Sequence, residues 1–176
     1  MDGLPVTEET GLPFASTARG EYNGAEVGDK ADADLRLALE FTSDSRTRMS
    51  ILRTMGFHRE RILEDDGAAL EAYREITNST KNNGSAEYYD GVQGAARILT
   101  RHGKFDEALE TLNFVDIGKL SGCWRGSMLL ARGQTLAASG RKDEASEAYR
   151  NVLADESALK AHREAATEAI HLLEAG

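Results

Sequence analysis

The sequence predicts an all-α fold built from antiparallel helix pairs, and three observations carry that prediction. Both prolines, Pro5 and Pro13, lie at the start of the 176-residue chain. The rest of the body is therefore free of the residue that most disrupts helices. That body is rich in Ala, Leu, Glu and Arg, which lose little rotamer freedom in a helix. The third observation is a short apolar pattern that recurs three times at nearly constant spacing.

Residues 1–31 form the first element, read as an irregular acidic segment. They carry both prolines, five glycines and no sustained hydrophobic period. Residues 1–34 hold eight acids and two bases, so −6 of the net charge of −9 belongs to this front. A helical domain is expected over 32–176. It opens on "ADADLRLALEF", where Leu35, Leu37, Leu39 and Phe41 recur at helical spacing and Asp32 or Asp34 would serve as N-cap.

The recurring pattern follows. "EDDGAALEAYREI" (64–76), "HGKFDEALETLNFV" (102–115) and "SGRKDEASEAYRNVL" (139–153) superpose on Ala69, Ala108 and Ala145, and four residues later on Tyr73, Leu112 and Tyr149. Each copy is preceded by another apolar helical stretch, so the unit is helix, short turn, helix. Gly103 and Gly140 sit where a left-handed residue ends the first helix of a pair. Asp106 and Asp143 open the second helices, where acids complement the dipole. Gly133, inside a first helix, costs about 1 kcal/mol relative to Ala and implies a close packing contact. In the first copy, Gly56-Phe57 fits the pattern poorly. The closing "SALKAHREAATEAIHLLEAG" is helical and polar on one side, as a cap should be.

These copies resemble the tetratricopeptide repeat family. Leu129, Gly133, Leu136, Gly140, Ala145, Tyr149 and Val152 match its pattern in the third copy. Val92, Ala96, Leu99, Gly103, Phe105, Ala108, Leu112 and Val115 match in the second. The family's terminal proline is missing, and the spacings of 39 and 37 exceed its period of about 34 residues. The connections "NSTKNNGS" and "DIGKLSGC" would absorb the excess. The resemblance implies a right-handed solenoid of about three repeats plus a capping helix. A non-repeating helical bundle is the alternative architecture.

Composition and motifs leave little room for chemistry. A net charge of −9 opposes general nucleic-acid binding, and no run is long and apolar enough for a membrane span. The lone Cys123 has no disulfide partner, reads as a small semi-buried residue beside Trp124, and favours a reducing, cytoplasmic setting. Glu168-x-x-His171 is half of a di-iron motif with no second half, so no metal or cofactor is expected. No nucleophile elbow or phosphate loop occurs, and the chain reads as non-catalytic.

Function must then lie in a surface, and the resemblance implies a protein- or peptide-binding scaffold. Its groove positions fall on Asp90, Gln93, Arg97, Thr100 and Arg101 in the second copy, and on Ser127, Leu130, Gln134 and Ala138 in the third. Arginines on the first helices would favour an acidic peptide or a C-terminal carboxylate. The segment "EETGLPFAS" (8–16) is an acidic arm with Leu12 and Phe14 as anchors, suited to its own groove or a neighbour's. Three repeats are about the minimum for a stable solenoid, which leaves room for self-association through an end face. The alternative function is a helical accessory or self-assembly domain whose parent protein carries the activity elsewhere.

Overall fold

A computed structural model describes residues 24–79 and 84–175; among these there are eight helices and no strand. In chain order they are α1 (Gly24–Phe41), α2 (Ser45–Arg61), α3 (Asp66–Thr77), α4 (Ala86–Arg101), α5 (Phe105–Leu112), α6 (Gly122–Ala138), α7 (Lys142–Ala154) and α8 (Lys160–Ala175). A single 3-10 turn, Ile117–Lys119, occupies the connection between α5 and α6. The three expected pairs are α2/α3, α4/α5 and α6/α7, and α8 follows as the cap.

The front of the molecule departs from expectation. α1 begins at Gly24, so the boundary expected at residue 31 falls inside a helix. Asp32 is not an N-cap but sits mid-helix, buried, with its carboxylate gripped by Arg59 of α2. Arg59 Nε donates to Oδ1 at 2.6 Å and Nη2 to Oδ2 at 3.3 Å, while Arg36 Nε donates to Oδ2 at 2.7 Å. Arg59 Nη1 also donates to the Ala68 carbonyl at 3.2 Å, tying α1, α2 and α3 together. Gly28 permits the close approach: a Cβ there would stand 2.8 Å from Leu63 Cδ2, and its carbonyl lies 2.9 Å from His58 Nε2. The expected arm at 8–16 lies outside the described residues.

Two first helices end at the glycines that the sequence singled out. Gly103 and Gly140 take φ of 73° and 79°, and the N–H groups of Lys104 and Arg141 reach back to Leu99 and Leu136 at 2.9 Å. Asp44, Asp65 and Ser85 cap α2, α3 and α4 with side-chain oxygens on backbone N–H groups. The first pair differs by one residue. Its turn has four residues instead of three, and Asp65 N–H reaches back to Arg59. That insertion hid the register: allowing for it, Gly56 occupies the place of Ala96 and Gly133.

Those small residues receive the second helix of each pair. A Cβ on Gly56 would stand 2.5 Å from Tyr73 Cε1, and one on Gly94 of the next pair 2.5 Å from Tyr73 Cζ. Tyr149 packs in the same way over Gly133, and Ile76 over Gly91. Gly56 is therefore a packing requirement, not the awkward residue its sequence context suggested. The buried residues gather in two clusters, one around Tyr73, Val92, Ile98 and Leu112, the other around Leu136, Tyr149 and Val152. Ile117 of the 3-10 turn packs against both.

First helices pack on first helices, α2 on α4, α4 on α6 and α6 on α8, whereas α3, α5 and α7 make no comparable contact with one another. Spacing the outer helices more widely than the inner ones curves the array and makes the α2–α4–α6–α8 face concave.

The turn of the first pair yields a test. Glu64 has φ of 53°, the left-handed conformation held by glycine at the equivalent Gly103 and Gly140. A side chain there costs about 1 kcal/mol. Glu64→Gly is expected to raise the unfolding free energy, and with it the urea midpoint, and Gly103→Ala to lower both; equal midpoints for all three proteins would refute the assignment.

Candidate functional site

The concave face carries one continuous groove made of two depressions. The first, of about 390 Å³ between α2 and α4, is lined by Arg53, Thr54, Phe57, Arg61, Tyr73 and Asp90. The second, of about 250 Å³ between α4 and α6, is lined by Ala96, Thr100, Ser127, Leu130, Ala131, Gln134 and Thr135. Gln93 and Arg97 line both and join them.

Seven of the nine expected positions thus meet in the groove: Asp90, Gln93, Arg97, Thr100, Ser127, Leu130 and Gln134. Arg101 and Ala138 line neither depression. Arg101 is engaged by Glu60 and Asp66, and Ala138 is the last residue of α6. The sequence reading missed Arg53, Phe57 and Arg61. A signal for them existed: setting Gly56 against Ala96 places these three residues opposite Gln93, Arg97 and Arg101.

A buried carboxylate organises the arginines. Glu60, next to the last residue of α2, has its side chain fully shielded from solvent (0%). Arg97 grips it bidentately, Nε to Oε1 at 2.8 Å and Nη2 to Oε2 at 2.6 Å. Arg101 Nη2 donates to Oε1 at 3.1 Å, and the Tyr73 hydroxyl donates to Oε2 at 3.2 Å. Arg101 also pairs with Asp66 at 2.8 Å, whose other oxygen lies 2.8 Å from His102 Nε2. Burial alone would raise the Glu60 pKa, but hydrogen bonds and charge from Arg97, with help from Tyr73 and Arg101, bring it below the ordinary glutamate value. Its hydrogen bond to Glu60 raises the pKa of Arg97 in turn. Burial beside the same carboxylate pushes the Tyr73 phenol well up, so it stays a donor.

Charge is uneven along the groove. At the α2–α4 end, Arg53 Nη1 donates to Asp90 Oδ2 at 3.3 Å, and burial holds the Asp90 carboxyl above its usual value despite that arginine. Arg61 is exposed and makes no ion pair among the described residues. Phe57 beside it is 58% exposed. The α4–α6 end is uncharged apart from Arg97: it offers amides, hydroxyls and small apolar groups. Thr100 and Thr135 hydroxyls lie 2.8 Å apart across the two helices.

Ser127 Oγ lies 3.3 Å from His162 Nε2, but His162 Nδ1 is buried and, among the described residues, has no partner to orient the ring as a triad does. Cys123 is exposed, not semi-buried as its sequence context suggested; its neighbour Trp124 turns away to lie on Tyr89, with ring centroids 5.1 Å apart. No group of three metal-ligating side chains occurs among the described residues, and none of their helices is long and apolar enough to cross a membrane.

The sign of the Glu60 shift gives a pH test. A depressed folded-state pKa contributes stability that is present above the ordinary value of 4.5 and is lost as pH falls through the folded value. Arg97 and Arg101 are about half exposed (44% and 47%), so water softens the cost of losing their partner. Glu60→Gln is expected to cost about 1–2 kcal/mol at neutral pH, measured by urea unfolding. The gap to wild type should shrink as pH drops below 4.5; a gap independent of pH would show that the charge does not matter.

Comparison with known proteins bears on residues 64–170, which match the family described as a tetratricopeptide repeat-like domain. No curated protein and no solved structure gives a significant match to the chain.

Proposed function

The chain belongs to the tetratricopeptide repeat-like family, and from that premise we propose that it is a non-catalytic scaffold whose concave groove binds an extended segment of a partner protein. The observation that carries this reading is the pairing of Arg61, without an ion pair among the described residues, and exposed Phe57 at the α2–α4 end with an uncharged, amide-rich floor at the α4–α6 end.

The ligand has a matching polarity. A carboxylate, from a side chain or a C-terminus, sits near Arg61 and the edge of Arg97, whose Nη1 makes no hydrogen bond among the described residues. An apolar side chain covers Phe57. The segment then runs uncharged over Gln93, Ser127 and Gln134, where side-chain amides and hydroxyls satisfy its backbone groups. Arg97 positions as well as binds, because its Nε and Nη2 are held by Glu60.

Arg61 and Phe57 are accordingly better probes than Arg97, whose loss would strip a counter-charge from a buried acid. The expected outcome is that Arg61→Glu with Phe57→Ala leaves thermal stability unchanged, yet weakens capture of partners from lysate by about tenfold, a loss of 1.4 kcal/mol. Capture of the wild type should also weaken with salt. Undiminished capture by the folded double variant would move the binding surface away from this groove.

A further inference from the structure

The clasp on α1 decides where the chain before it emerges. Asp32 meets Arg59, and the Leu39 carbonyl accepts from Arg48 Nη1 at 3.5 Å, so α1 runs antiparallel to α2. Its opening turns therefore lie beside the end of α2, where a Cβ on Gly28 would stand 3.3 Å from Ile62 Cγ2. Gly24, the first residue of α1, is one turn earlier. Ile62 directly follows Arg61, the last residue of α2, which makes no ion pair among the described residues. The chain that precedes Gly24 thus enters at the Arg61 mouth of the groove.

Counted back from Gly24, that chain presents Glu21, then Arg19, then an uncharged run from Ala18 to Phe14. The groove presents the complementary series in the same order. Arg61 stands at the mouth, and the Asp90 carboxylate follows on α4, its side chain still 36% exposed. The amide and hydroxyl floor of Gln93, Ser127 and Gln134 comes last. Glu21, Arg19, Thr17 and Ala15 are spaced by two, so an extended strand turns all four to one side. The lengths agree as well. Six residues, from 21 to 15, cover about 20 Å when extended, and α2 to α6 is two helix spacings, about 18 Å.

We propose that residues 14–23 of this chain occupy its own groove, with Glu21 on Arg61 and Arg19 on Asp90, as a built-in competitor that a partner must displace. The inference rests on the groove being the partner's site. Tethering supplies an effective concentration on the order of millimolar, so contacts too weak to hold a separate peptide suffice. A partner's apparent affinity then falls with the fraction of grooves left open.

Paramagnetic relaxation on the full chain tests this. A nitroxide attached through Ser16→Cys, in a Cys123→Ser background, is expected to broaden the side-chain amide signals of Gln93 and Gln134 more than that of Asn151 on α7. Glu21→Arg or Arg61→Glu should lower the ratio of docked to open chains about fivefold, and the two together should restore it. Broadening that is absent, or indifferent to both substitutions, overturns the proposal. Equal broadening of an isotope-labelled chain by a separate spin-labelled one overturns it too, since the segment would then lie in a neighbour's groove. Capture of partners from lysate separates this inference from the groove reading. Glu21→Arg should strengthen capture; capture lost in the Arg61→Glu, Phe57→Ala protein but unmoved by Glu21→Arg overturns the built-in competitor alone. Broadening combined with capture indifferent to Arg61 and Phe57 supports the docked segment and overturns the partner site instead.

Discussion

The wedge of Tyr73 between Gly56 and Gly94 sets much of the molecule. Its ring fits only because neither α2 nor α4 carries a Cβ at the point of contact. That contact fixes how closely a second helix approaches its own first helix and the next one, hence the spacing and curvature of the array. The same residue reaches polar ground at its far end. Its hydroxyl helps hold Glu60, and Glu60 aims Arg97 and Arg101. Packing and electrostatics are thus coupled through a single side chain, and the groove inherits its shape from one end of the tyrosine and its charge from the other.

A buried acid beneath a cationic groove changes what the groove can do. Arginines that looked free to hold a ligand carboxylate are already half-satisfied, so the inner surface is less positive than a count of its bases implies. Desolvating a charge is costly unless it is paired and hydrogen-bonded, and Glu60 meets that condition with four donors. The arrangement trades ligand-binding charge for a fixed guanidinium geometry between α2 and α4. Arg53 and Asp90 repeat the theme on the exposed side of the same helix pair. What remains for a ligand among the described residues is local: the Arg61 guanidinium, the exposed Phe57 ring and a run of amides.

Much of this was legible in the sequence, and the gaps have physical causes. The Ala-x-x-x-Tyr or Ala-x-x-x-Leu spacing, the helix-ending glycines and the need for a small residue at 133 all express local geometry, which periodicity reports faithfully. Seven of the positions that the family resemblance implied for the groove line it. The first pair escaped because one extra residue in its turn, ended by Glu64 in place of glycine, shifts α2 against α3. With the shift went Arg53, Phe57 and Arg61. Long-range polar pairs escaped for another reason. Asp32 with Arg59 and Glu60 with Arg97 are 27 and 37 residues apart, and no local pattern tells a buried acid from a capping one. Asp32 looked like a helix start because acids usually are; here it is the clasp holding α1 in place.

The 3-10 turn at Ile117–Lys119 has a mechanical consequence. Ile117 touches both hydrophobic clusters, and α6 serves each with adjacent residues, Met128 toward the first and Leu129 toward the second. The solenoid is therefore two rigid blocks sharing one beam, not a uniform rod. In a chain whose cooperativity is passed between neighbours, such a seam is where strain concentrates. Tension along the axis will bend the molecule there first, opening the α4–α6 depression while the α2–α4 block, clamped by Glu60 and Asp32, keeps its shape.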